Sequence, residues 1–144
     1  MKKRTVAVAL LTALIAATTA FIWWQSLRPA DNSNEISSGL KQWLINLLGP
    51  WVDTVMPADS IRKVAHFAEF ALLGGEWGAL SRVCRRRWLW VWGGLTAVAD
   101  ELLQFLSPGR APAVTDVLLD WAGYAAGVAL VLLIWRWLRR LRRC

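Results

Sequence analysis

His66, Glu69, Glu76, Asp100, Glu101 and Asp120 all fall inside apolar runs of this chain, with Gln104 beside them. In hydrocarbon each charged side chain costs at least ~2.5–3.5 kcal/mol on insertion scales, so such a set marks a functional site. Arg62, Lys63, Arg110 and Asp116 stand at the edges of the same runs. At 100° per residue, Arg62, His66, Glu69 and Glu76 share a helical arc of about 80°. Asp100, Glu101 and Gln104 span about 100°, and Asp116, Asp120, Gly123 and Gly127 about 60°. Three helices with one polar face each must turn those faces toward one another. The ~1.5 Å rise sets their depth, with His66 about 6 Å and Glu69 about 10 Å below Arg62. Glu101 falls roughly 9 Å below Ser107 and Asp120 roughly 6 Å below Asp116, so His66, Glu101 and Asp120 are expected at one level. Glu76, about 21 Å below Arg62, belongs to the opposite half.

A histidine among carboxylates can serve as general base, nucleophile or metal ligand, or as a satisfied buried hydrogen-bonding group. Glu69, Asp100, Glu101 and Asp120 form an oxygen-rich set suited to a divalent cation such as Mg²⁺ or Ca²⁺. The turn Ser107-Pro-Gly-Arg110-Ala-Pro holds Arg110 over the mouth of the cluster. There its guanidinium either grips a phosphate or carboxylate bidentately or neutralises Asp116 or Glu101. Zinc-ligand spacing, a phosphate-cradling glycine loop and a Gly-x-Ser-x-Gly elbow are all missing at motif level.

The elements that must position these groups follow from composition. The chain has 144 residues, the length of one domain; 56% are hydrophobic, 19% charged and eleven are tryptophan. That excludes a disordered chain, and two cysteines exclude a disulfide framework. A net charge of +7 would suit a nucleic-acid binder, but the placement of the charge argues against one. Twelve of the 17 basic residues fall in clusters at residues 2–4, 82–87 and 136–143, and no acidic residue falls in any of them. Between the clusters lie apolar stretches at about 5–24, 61–80, 88–106 and 116–138, each of membrane-spanning length.

Basic loops stay cytoplasmic, and four spans put all three basic clusters on one side. Trp23, Trp24, Trp88, Trp90, Trp92, Trp135 and Trp137 sit at span ends, as in an aromatic belt. The expected fold is an all-α membrane protein, a four-transmembrane-helix bundle in one domain over 1–144, with both termini cytoplasmic. The first span is read as an uncleaved anchor rather than a signal peptide, its apolar run being longer than an h-region. The same basic residues attract anionic inner-leaflet lipid.

Residues 25–60 are expected outside. They open with a polar turn over 28–34, followed by Leu40, Trp43, Leu44, Leu47, Leu48 and Trp51 at helical spacing, a pattern that Asn46, Gly49 and Pro50 interrupt or end. This reads as a short amphipathic helix on the outer face, either a lid over the site or, more simply, a connector resting on the bilayer. Gly123-x-x-x-Gly127 has the small-residue spacing that lets helices approach closely.

Three stretches resemble the VanZ-like family of bacterial membrane proteins. Arg62-Lys-Val-Ala-His-Phe-Ala-Glu-Phe-Ala-Leu-Leu-Gly74 is similar to its first motif, Asp100-Glu-Leu-Leu-Gln-Phe-Leu-Ser-Pro-Gly-Arg110 to its second, and Asp116-Val-Leu-Leu-Asp-Trp-Ala-Gly123 with Gly127 to its third. The likeness covers roughly 40 to 135 in the family's order. It implies that Lys63, His66, Glu69, Glu101, Gln104, Arg110, Asp116 and Gly123 are characteristic positions. At 120 the family often carries asparagine where this chain has aspartate. The family's namesake accompanies glycopeptide-resistance clusters and lowers teicoplanin susceptibility, so the resemblance implies an envelope context.

Two functions of different class are expected from these residues. In the first, an enzyme acts on a lipid-linked or phosphorylated envelope component at the outer leaflet. Arg110, Arg62, Lys63 and Gln104 hold the substrate, Glu69, Glu101, Asp116 and Asp120 bind a divalent cation or position water, and His66 transfers a proton or attacks phosphorus. In the second, the same residues form a non-catalytic binding site for an envelope lipid, a glycopeptide or a partner membrane protein. Transport fits less well, because only Glu76 reaches inward.

Overall fold

The computed structural model describes residues 2–56, 60–107 and 113–141, with side chains throughout except at 30–34 and 36. Within them the chain forms six helices: α1 (Lys2–Ser26), α2 (Ala30–Leu48), α3 (Trp51–Val55), α4 (Ser60–Cys84), α5 (Leu89–Phe105) and α6 (Val114–Leu141). No strand occurs among the described residues. Helices α1 and α6 are long and apolar enough to cross a membrane. Helix α5 is shorter, at 17 residues, and α4 carries Arg62, Lys63, Glu69 and Glu76 along its 25.

The segment between α1 and α4 differs from its sequence reading at the near end. Gln25 and Ser26 close α1 instead of opening an external segment, and α2 begins at Ala30, inside the stretch expected to be a turn. Pro29 explains the early start. Its φ of −53° is already helical, and a proline at a helix entrance surrenders an N–H that would have no partner anyway. The far end follows the sequence. Gly49, at φ +102°, stops α2 and donates its N–H to Ile45 O at 2.8 Å, and α3 starts immediately after Pro50. A 2.6 Å pair between Lys41 Nζ and Asp53 Oδ1 joins α2 to α3. Leu40, Trp43, Leu47 and Leu48 on α2 all remain exposed.

Helices α4 and α6 form the central seam, and glycine is the reason they can. A Cβ added at Gly127 would collide with the Ala71 carbonyl, one at Gly123 with the Phe67 carbonyl, and one at Gly74 with the Tyr124 carbonyl. These are backbone-to-backbone contacts that only a residue without a side chain permits. Around the seam Phe70, Leu73, Ala97 and Tyr124 are fully buried, and α1 packs against α4 and α5.

Polarity across the bundle runs opposite to that of a water-soluble domain. Leu10, Leu14, Leu102, Leu118, Leu130 and Leu133 point outward with half or more of their surface free, while Ser26, Glu76, Asp100, Glu101, Gln104 and Asp120 lie inside. The three basic clusters share one end. Arg4 Nη2 donates to Cys84 O at 3.2 Å, and Arg82 and Arg85 border the same cavity as Arg136 and Arg139.

Candidate functional site

At the opposite end, three helices bring ionisable groups to one point. His66 projects from α4 one turn after Arg62, Asp100 from α5 and Asp120 from α6. His66 Nδ1 lies 3.8 Å from Asp120 Oδ1 and 4.0 Å from Asp100 Oδ2. One ligating atom from each of the three residues falls within 4.8 Å of the others. Both carboxylates are almost completely buried, at 0% exposure for Asp100 and 1% for Asp120.

Their surroundings differ. Asp100 accepts hydrogen bonds from Ser26 Oγ at 2.6 Å and from Gln104 Nε2 at 3.0 Å. Neither oxygen of Asp120 has a hydrogen-bond partner among the described residues. A buried carboxylate without donors is strongly disfavoured unless a positive partner stands beside it. Here the side facing Asp120 holds an imidazole and a second carboxylate. One nitrogen and two oxygens converging from three rigid helices suit a hard divalent cation such as Mg²⁺ or Mn²⁺.

Above this cluster is a cleft of about 10 Å³, bordered by Arg62, Lys63, His66, Gln104, Asp116 and Asp120. That space is about one water molecule. Arg62 Nη2 stands 4.0 Å from Asp116 Oδ2, so one cation at the mouth is loosely paired and the neighbouring Lys63 is exposed.

Glu69 and Glu101, expected in the same set, turn to other partners. Glu69 accepts from Gln25 Nε2 at 2.5 Å, and Glu101 accepts from the Ala113 N–H at the start of α6. Helix α5 therefore presents Asp100 to His66, whereas the depth estimate had aligned Glu101 with it. Glu76 sits deeper, accepting from Thr18 Oγ1 at 2.9 Å. Arg110 and the turn that carries it lie outside the described residues.

Helix α1 supplies three polar partners that the sequence reading left out: Thr18 to Glu76, Gln25 to Glu69 and Ser26 to Asp100. A signal for them exists. Positions 18, 25 and 26 fall within about 100° of one another on a helix, one hydrophilic strip on an otherwise apolar cylinder. Tyr124 adds an internal link, its O–H donating to Trp90 O across α6 and α5.

The class is thus an all-helical bundle, apolar outside, with a buried histidine–carboxylate cluster at one end and arginines at the other. The chain matches the VanZ/LLP1 family over residues 5–136, nearly its whole length, and belongs to that family. Nothing among curated proteins or solved structures matches the chain.

Proposed function

We propose that this VanZ/LLP1-family chain is a single four-span protein of the bacterial cytoplasmic membrane. Helices α1, α4, α5 and α6 are the spans, and both termini face the cytoplasm. The gathering of the basic clusters at one end supports this orientation. The acidic end then opens to the outer leaflet, with the apolar face of α2 resting on the bilayer surface. There the chain binds a divalent cation and acts on a phosphorylated or lipid-linked envelope component.

The convergence of His66, Asp100 and Asp120 within 4.8 Å carries this reading. A cation held by the Asp100 and Asp120 carboxylates would polarise a phosphoryl oxygen and favour ionisation of a nearby water, with His66 beside them as the base. Arg62 and Lys63 at the mouth hold the remaining phosphate oxygens. His66 takes a proton from the attacking water as its oxygen bonds phosphorus. The bond from phosphorus to the leaving oxygen breaks, and that oxygen receives a proton, so phosphate and alcohol (or a shorter phosphate) are the products. Glu69 and Glu101, held by Gln25 and Ala113, keep the helices in register around the cluster.

A second reading, a non-catalytic receptor for an envelope lipid, a glycopeptide or a partner protein, draws on one observation. Both Asp100 oxygens already have donors, and the cleft admits about one water. The two separate in purified protein given farnesyl diphosphate and Mg²⁺ or Mn²⁺. Cation-dependent phosphate release that disappears in His66→Ala and Asp120→Asn supports the enzyme. Binding of the probe without release, retained in His66→Ala, supports the receptor; neither binding nor release sinks both. The glycopeptide link is tested by expressing the chain and measuring teicoplanin susceptibility. An unchanged value removes that link and leaves the site chemistry standing.

A further inference from the structure

The arginine-rich end holds a larger cavity, about 620 Å³, between α4, α5 and α6. This volume is typical of small-molecule sites. Arg82, Arg85, Arg87, Arg136 and Arg139 border it. No acidic side chain borders it, and none of the five arginines has a carboxylate within ion-pair distance among the described residues. Positive-inside topology requires arginines on this side of the membrane, but it does not require five of them around one cavity.

Two further groups point to an occupant. Ser81, 5% exposed, has a buried Oγ without a hydrogen-bond partner, and Trp135 has a buried Nε1 in the same condition. Both residues border the cavity. Unsatisfied buried donors are rare in native proteins and commonly mark a missing acceptor. Five cations and two unspent donors without an anion make a site for phosphate oxygens, which guanidinium groups grip bidentately. Arg139 is also set in place, its Cζ 5.8 Å from the Trp135 ring centroid. The inner wall changes character. Val128 and Leu132 line it, with Gly78 packed close to Val128. A cavity that is basic toward the membrane surface and apolar toward its interior matches a phospholipid better than a free anion.

We propose that this cavity binds the headgroup of an anionic phospholipid of the adjacent leaflet, with a two-phosphate headgroup such as that of cardiolipin preferred over a single phosphate. The apolar wall takes the first part of an acyl chain. The inference rests on the membrane orientation above and is independent of any chemistry at the acidic end.

Native mass spectrometry of the intact chain in mild detergent, titrated with cardiolipin, phosphatidylglycerol, phosphatidylethanolamine or inorganic pyrophosphate, tests it. Cardiolipin should bind tightest and phosphatidylethanolamine weakest. The double variant Arg82→Gln/Arg136→Gln should weaken cardiolipin binding by roughly thirtyfold, from about a fivefold contribution per arginine near the surface. The control Arg86→Gln/Arg140→Gln removes equal charge from the same end at residues that do not border the cavity, and should change binding little. If Arg82→Gln/Arg136→Gln fails to fold, Ser81→Ala/Trp135→Phe replaces it and should also weaken cardiolipin binding. Equal loss in the control would replace the site with a diffuse polybasic surface. Pyrophosphate binding as tight as cardiolipin would make it a soluble-anion site, and equal binding of all three lipids would leave no headgroup selectivity; either result overturns the proposal.

Discussion

Gly123→Ala is the most direct perturbation of the relation between packing and site. A Cβ at this position meets the Phe67 backbone, with Cα and C at 3.1 Å and the carbonyl oxygen closer still. No rotamer change relieves a clash with backbone, so α4 and α6 must move apart. Overpacking of this kind costs about 1–3 kcal/mol. In a chain of this size that corresponds to a melting temperature lower by roughly 3–10 °C. The local consequence is sharper, because Phe67 follows His66 directly and Gly123 lies three residues after Asp120. A displacement of about 1 Å between the two helices acts on the 3.8 Å separation of these side chains, and misplacement of that size in a catalytic constellation can cost on the order of a hundredfold in rate. The assay pairs thermal unfolding in detergent with Mn²⁺ binding followed by electron paramagnetic resonance. Gly39→Ala is the control, since a Cβ there meets nothing within 4 Å and lies within α2. It should leave stability unchanged or raise it by up to about 1 kcal/mol. Should Gly123→Ala match Gly39→Ala in both melting temperature and Mn²⁺ affinity, the close seam is not what holds His66 against Asp120, and the reasoning fails.

Asp120→Asn should raise the melting temperature of cation-free protein, by the equivalent of about 1–3 kcal/mol, because it replaces a buried carboxylate without donors. It should also abolish any stabilisation by added Mg²⁺ or Mn²⁺, and a variant still stabilised by the cation would place the cation elsewhere. Ser26→Ala removes the 2.6 Å donor to buried Asp100 and should lower stability by about 1.5–3 kcal/mol, the range for hydrogen bonds to charged groups, as read by chemical or thermal unfolding; a neutral effect would mean that the other partners of that carboxylate, Gln104 among them, satisfy it. In a Cys144→Ser background, a membrane-impermeant maleimide should label Cys84 in inside-out vesicles and spare it in intact cells. The reverse pattern would invert the orientation and move the acidic cluster to the cytoplasm.

The helix positions were legible because the sequence marks them twice, once by apolar runs and once by the basic residues that end them. Gly49 and Pro50 marked the α2–α3 break with equal clarity. Pro29 misled, since proline signals both a turn and a helix entrance, and the sequence alone does not say which. Among the residues around the cluster and its cleft, His66, Asp120, Gln104, Arg62 and Asp116 lie on the polar helical arcs, and Lys63 stands at a span edge. Asp100 and Glu101 are adjacent, and adjacent helical residues differ in direction by about 100°. The rotation of α5 about its axis decides which of them faces His66. That rotation is set by packing, with Gly93 against Trp77 and Tyr124 and Gly94 against Trp121, and none of these pairings is written in local sequence. The polar strip on α1 went unread for a different reason: serine, threonine and glutamine carry no charge, so they give little signal in an apolar run.

The way the helices are joined also limits how the site can open. The cleft at the acidic end is bordered by α4, α5 and α6, but these helices are not held alike. Helices α4 and α6 touch through backbone at Gly74, Gly123 and Gly127, a seam with no side chains to rearrange. Helix α5 meets them instead through the side chains of Trp77, Trp121 and Tyr124, and its acidic end is tied to α1 by the hydrogen bond from Ser26 to Asp100. A cleft with space for about one water must widen before a phosphate can reach His66. Separating α4 from α6 would break the closest packing in the bundle, whereas tilting the acidic end of α5 with α1 gives up the hydrogen bonds from Gln25 to Glu69 and from the Ala113 N–H to Glu101 and carries Asp100 with it. On this geometry His66 and Asp120 form the fixed part of the site and Asp100 the mobile part. Under the proposed chemistry, substrate entry and cation coordination would then be coupled through the position of α5 and α1.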